Sequence, residues 1–159
     1  MEKEKTTEDV VKSKPSKGTI AILRIRGLVR IDRDVQDTLR FLSLNQKNSC
    51  SLHKMSPSLL GMLKKVKDYA TWGEVDSSVV DALFDKRGEE YQGKLKDANS
   101  KIDYTSRYVE HKGKKYKKYF RLPNPRGGFD RKGIKTPYAL SGALGYRGEA
   151  MNVLLKKML

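Results

Sequence analysis

Thr19-Ile20-Ala21-Ile22-Leu23-Arg24-Ile25-Arg26-Gly27 decides the fold. The run is rich in β-branched residues and ends on a glycine, which reads as a strand followed by a loop. Ala21, Leu23 and Ile25 lie on one face; Ile20, Ile22, Arg24 and Arg26 lie on the other, which turns from apolar to cationic at its end. Arg30 and Arg33 follow in the loop. Asp32 or Asp34 then caps a helix whose inward stripe is Val35, Leu39 and Leu42, helped by Thr38 and Phe41. Ser49 to Lys54 reads as a second strand, with Cys50 and Leu52 on one face. Ser56-Pro57 marks a helix start, cap and first helical position, with Leu59, Leu60, Leu63 and Val66 inward. Tyr69 to Trp72 gives a third strand, stopped at Gly73. The order strand, helix, strand, helix, strand predicts a small α+β unit. A further helix from Asp76 turns Val79, Val80, Leu83 and Phe84 inward and closes at Lys86, Arg87 and Gly88.

Outward from this unit the charge becomes uneven. The chain nets +15, and residues 107–135 carry eleven Lys or Arg against Glu110 and Asp130, a net of +9. Residues 19–75 net +5, and residues 76–106 net −2. Cations at this density are suited to a polyanion, because each one placed on a phosphate releases counterions. Tyr108, Tyr116, Tyr119, Phe120 and Phe129 lie among them. Tyr116, Tyr119 and Phe120 can stack on unpaired bases, or equally pack within a hairpin, and packing is the better account of Phe120. Arg107 to Glu110 and Lys115 to Leu122 read as arms of a hairpin around Lys112-Gly113. Pro123 to Lys135 reads as a Gly-rich basic loop, and Arg147 to Leu159 as a last helix with Met151, Leu154, Leu155 and Met158 inward.

The expected organisation is a disordered mixed-charge tail at 1–18, a compact unit at 19–88, and an extension at 89–159 with linker, hairpin, loop and helix. Candidate RNA-binding residues are Arg24, Arg26, Arg30 and Arg33 of the first loop, and Lys112, Lys114, Lys115, Lys117, Lys118 and Arg121 of the hairpin. Arg126, Gly127, Gly128, Arg131, Lys132 and Lys135 of the Gly-rich loop complete the set. The glycines can let a backbone approach a phosphate, though plain turn glycines are equally natural.

Other chemistries find little support. The single cysteine excludes an internal disulfide, and with His53 and His111 it makes no metal-ligand spacing. Cys50 reads as a small buried hydrophobe. Asp34 and Asp37 fall in a first helical turn, where the dipole favours acids. Gly142, Gly145 and Gly148 match neither a Walker motif nor a dinucleotide fingerprint. No apolar run approaches the roughly 20 residues that span a bilayer. Neither a catalytic centre nor a cofactor is expected, and the expected setting is the cytosol.

Three stretches carry a family resemblance. Ala21 to Gly27 is followed by Val35-Gln36-Asp37-Thr38-Leu39. Gly61-Met62-Leu63-Lys64-Lys65-Val66-Lys67-Asp68-Tyr69 is followed by Trp72-Gly73-Glu74. Phe120-Arg121-Leu122-Pro123-Asn124-Pro125-Arg126-Gly127-Gly128 precedes Gly142 and Gly145. Together they resemble ribosomal protein L-thirty of the large subunit in its long archaeal and eukaryotic form. The resemblance implies a small three-stranded antiparallel sheet with two helices on one face, related to the ferredoxin-like fold. It also implies a structural role on large-subunit rRNA, near 5S rRNA and among neighbouring ribosomal proteins. Arg24, Arg26 and Arg30 would occupy the basic first loop, and Arg126, Gly127 and Gly128 the Gly-rich contact. The alternative is a non-ribosomal RNA-binding or RNA-chaperone module.

Overall fold

The computed structural model describes residues 18–27, 29–94, 104 and 107–159. The expected disordered tail, apart from Gly18, and most of the expected linker after Lys94 lie outside the described residues. The elements in chain order are β1 (Thr19–Arg24), α1 (Arg33–Phe41), β2 (Ser49–Lys54), α2 (Pro57–Val66), β3 (Ala70–Glu74) and α3 (Ser77–Arg87). They continue with β4 (Tyr108–His111), β5 (Lys114–Lys117), β6 (Tyr119–Arg121), a 3-10 turn (Tyr138–Leu140), β7 (Gly145–Tyr146) and α4 (Ala150–Met158).

The β-α-β-α-β core forms as expected, and its sheet is wider than three strands. The order is β6-β2-β1-β3-β7. β1 is central and antiparallel to both β2 and β3. β6 adds antiparallel to β2, and β7 adds parallel to β3. The alternation in β1 explains why both faces are covered. Ile20 and Ile22 pack with Leu39, Leu42 and Leu44 from the α1 side and Leu59, Leu63 and Val66 of α2. Ala21, Leu23 and Ile25 pack with Leu83 and Phe84 of α3, Phe120 of β6, and Met151, Leu155 and Met158 of α4. Each fully buried Leu or Ile contributes roughly 1.5–3 kcal/mol of apolar burial. Both layers are therefore needed to hold β1, and the segment beyond residue 88 supplies part of one of them.

Local signals account for the helix starts. Ser56 caps α2, its hydroxyl accepting from the Leu59 N–H at 3.1 Å, with Pro57 at the first position. Asp32 precedes α1 but makes no side-chain cap bond.

Four readings need correction. Phe41 is 80% exposed, because it lies two residues beyond buried Leu39 and so points to the opposite side of α1. Gly73 does not stop β3 but lies within it, since β3 runs to Glu74. A Cβ on Gly73 would meet the Gly148 carbonyl oxygen and the Met151 side chain, so glycine there permits close approach of the α4 lead-in. The second hairpin arm divides: β5 pairs with β4, while β6 leaves to join the main sheet. Arg24 is fully buried, as described next.

Candidate nucleic-acid interface

Arg24 does not reach solvent. Its Nη1 donates to the Leu44 and Asn45 carbonyls at 2.8 and 3.0 Å, and its Nε donates to the Arg26 carbonyl at 2.9 Å. The guanidinium ties the end of β1 to the chain just beyond α1, and burial lowers its pKa from the ordinary value. The expectation that Arg24 presents its charge to RNA is therefore corrected. It is a structural residue in a set of otherwise accessible cations.

The rest of the first loop is open. Arg26 lies over the Tyr69 ring at 5.0 Å and donates from Nη1 to the Asp68 carbonyl at 3.0 Å, which holds it beside the turn that leads into β3. Arg30 is exposed, with φ at 54°, and Arg33 is exposed at the first turn of α1. None of the three forms an ion pair with a described residue.

The hairpin is held by its aromatics. Lys112 and Gly113 have φ of 49° and 77°, the pair of positive values that a two-residue turn matched to strand twist requires. Phe84 of α3 stacks on His111 at 4.1 Å between centroids, and meets Tyr116 at 5.2 Å and Phe120 edge-on at 5.0 Å. Tyr116 and Phe120 are thus packing residues. Tyr119 stands between two cations, 5.9 Å from Lys117 and 5.7 Å from Arg121. Glu89 and Tyr91 extend the hairpin by backbone bonds, Lys117 N–H to the Glu89 carbonyl and Tyr91 N–H to the Lys115 carbonyl, each at 2.9 Å.

Several hairpin cations already have acid partners. Lys112 faces Asp81 and Asp85 at 3.7 and 3.9 Å, and Lys115 faces Glu110 at 3.8 Å. Lys117 and Arg121 share Glu89 at 2.7 and 3.5 Å. Lys114 and Lys118 pair with no acid among the described residues. The net charge counted along the sequence therefore overstates what the hairpin offers a partner.

The Gly-rich loop is different. The Gly128 N–H closes a turn on the Pro125 carbonyl at 2.9 Å, and Gly127 and Gly128 have φ of 80° and 78°. No atom crowds either glycine, so the turn's backbone is accessible. The Arg126 N–H reaches the Lys157 carbonyl at 3.1 Å, fixing the turn to the end of α4. The loop's acid, Asp130, is occupied by Arg147, which is nearly buried and lies over the Tyr138 ring at 4.4 Å. Arg126, Arg131, Lys132 and Lys135 remain exposed and unpaired with any described acid.

Sequence reading missed cations that only the fold brings near. Arg40 and Arg107 join Lys117, Lys118 and Tyr119 around a cleft of about 780 Å³, which Glu89 and Glu90 also line. Lys64 and Lys67 stand with Lys135 around a smaller slot. Their separation along the chain left no local signal. Among the described residues no group of three His, Cys, Asp or Glu is placed to hold a metal. The Cys50 thiol is fully buried, which pushes its pKa up to about 12.

Residues 20–70 match the family model described as Ribosomal protein L30p/L7e. The chain is 46% identical over 149 residues to large ribosomal subunit protein uL30 of Methanopyrus kandleri, covering 85% of this chain and 100% of the relative. The chain belongs to this ribosomal protein family. The uL30 proteins of Nanoarchaeum equitans and Korarchaeum cryptofilum are each 39% identical to it, covering 85% and 88% of this chain and 95% and 94% of theirs. The family model runs from the second residue of β1 to the first residue of β3, while the uL30 relatives match over most of the chain. The family resemblance read from the sequence is thereby borne out.

Proposed function

We propose that this uL30-family chain is a structural constituent of the large ribosomal subunit that holds rRNA segments through two basic surfaces. One is Arg26, Arg30 and Arg33; the other is Arg126, Arg131, Lys132 and Lys135 with the backbone of Gly127-Gly128. The observation that carries the reading is the fate of Asp130. The loop's acid is withdrawn into an internal pair with Arg147, leaving the neighbouring cations uncompensated by any described acid. Several cations on one anchored loop can follow successive phosphates. On the hairpin, Lys114 and Lys118 are further cations for RNA, while Lys112, Lys115, Lys117 and Arg121 contribute less because acids face them.

The work is positional, not catalytic, as the ribosomal structural family implies, and its setting is the cytoplasmic ribosome. The family resemblance extends the proposal to 5S rRNA and neighbouring ribosomal proteins as contacts. Co-sedimentation with large subunits through a high-salt cushion tests the reading. A structural constituent stays with the particle; a loosely bound RNA chaperone washes off.

A further inference from the structure

Trp72 of β3 and Tyr146 of β7 are register partners in the parallel pair, so their rings share one sheet face. The Tyr146 hydroxyl donates to Glu74, with both carboxylate oxygens at 2.9 Å, which fixes the ring's direction. Between these rings and the loop after Lys135 lies a slot of about 170 Å³, which Leu144 also lines. It is below the roughly 300–1,000 Å³ of a drug-sized pocket. Its size suits one planar ring system.

The rim supplies a second, independent observation. Lys64 lies exposed in the last turn of α2, Lys67 follows α2, and Lys135 belongs to the basic loop; Asp68 is the one acid beside them in the lining. All three lysines are exposed, and none pairs with a described acid. An aromatic wall with a cationic rim is the arrangement that takes a base by stacking and its flanking phosphates by charge. An apolar protein side chain would use the slot but leave three cations unanswered.

We infer that this slot receives one unpaired nucleobase of RNA, stacked against the half-buried Tyr146 ring and touching what the core leaves open of Trp72, which is 7% exposed, with its flanking phosphates on Lys64, Lys67 and Lys135. The inference rests on the RNA-binding reading above and adds a site read by base stacking to surfaces that read phosphate alone. It also assigns a use to Lys64 and Lys67, which lie on the core and not on the basic extension.

Trp72 is the chain's single tryptophan, so its emission reports the slot directly. The experiment titrates the full chain with tetra-adenylate and, in parallel, with an abasic tetranucleotide carrying the same phosphates. Filter binding to large-subunit rRNA is measured on the same samples. Tetra-adenylate is expected to quench Trp72 saturably and the abasic chain to leave it unchanged. Ala139→Phe places a ring in the slot from an exposed position and should weaken the quenching about tenfold or more. Lys64→Gln with Lys67→Gln should flatten its log–log salt dependence by about 1.4, at ~0.7 per single-strand phosphate. Emission indifferent to tetra-adenylate in a chain that still binds rRNA overturns the base slot and leaves the RNA-binding reading standing. Equal quenching by the abasic chain, or quenching untouched by Ala139→Phe, overturns it as well. Loss of rRNA binding altogether overturns both readings.

Discussion

The Lys117 ammonium donates to Glu89 across 2.7 Å, and Arg121 approaches the other oxygen of the same carboxylate at 3.5 Å. One acid at the base of the hairpin thus holds two cations that the sequence alone would assign to a partner. The Lys117 hydrogen bond keeps the Glu89 carboxyl below its ordinary range, and the same bond raises the Lys117 pKa. The pair's contribution is therefore complete above about pH 4.5 and lost as pH falls below it. On the lysine side it is complete below about 10.5 and lost only above.

Glu89→Gln should release both cations. The expected outcome is tighter rRNA binding at low salt and a steeper log–log salt dependence, by up to about 1.5 if both reach phosphates. Filter binding at pH 7 across a salt series checks it. A slope equal to wild type would mean that this end of the hairpin faces away from RNA.

Arg24 and its neighbours should separate stability from binding. Arg24→Met leaves three carbonyls without their donor and should cost on the order of 3 kcal/mol, read as a lower urea midpoint. Its salt slope should stay near wild type while the chain is folded. Arg26→Gln with Arg30→Gln and Arg33→Gln should do the reverse, keeping the midpoint and flattening the slope by about 2. A midpoint unchanged by Arg24→Met would undo the structural role given to it.

The contrast within this loop shows what a sequence can and cannot carry. β2, the Ser56-Pro57 start of α2 and the inward stripe of α4 rest on local signals, and all appear where those signals place them. Two of the three carbonyls that hold Arg24, those of Leu44 and Asn45, lie 20 and 21 residues away, and no pattern near Arg24 announces them. The same holds for β6, which reads as the end of the hairpin arm until it meets β2, and for β7, which is too short to read as a strand until it meets β3. Among candidate site residues, exposure of Arg30 and Arg126 follows from their loops, while Arg33, read as part of the first loop, opens α1 and is exposed at its first turn. The acids that engage Lys112, Lys117 and Arg121 come from α3 and its end, so their effect was not legible.

Gly73→Ala should be destabilising out of proportion to its size. The added methyl would meet the Gly148 backbone and Met151, displacing α4 from β3. Overpacking of this kind costs typically 1–3 kcal/mol. Thermal unfolding by circular dichroism reads it; an unchanged midpoint would contradict the close approach of these two segments.

Cys50 should be silent toward thiol reagents at pH 8 in the native chain and react only after unfolding, since burial both shields the thiol and pushes its pKa up to about 12. Cys50→Ser should cost roughly 1–3 kcal/mol, because a hydroxyl replaces an apolar group in the core, and should leave rRNA affinity unchanged. A stoichiometric thiol count in native buffer would contradict the packing around β2.

The central claim is that the anchored Gly-rich loop, freed of its acid, is a phosphate-binding surface. Its most direct test is the salt dependence of rRNA binding for Arg126→Gln, Arg131→Gln, Lys132→Gln and Lys135→Gln combined, substitutions that touch no buried side chain. With ~0.7–0.9 per phosphate lost, the slope should flatten by about 3, with an unchanged unfolding midpoint. A folded variant whose slope equals wild type would contradict the account.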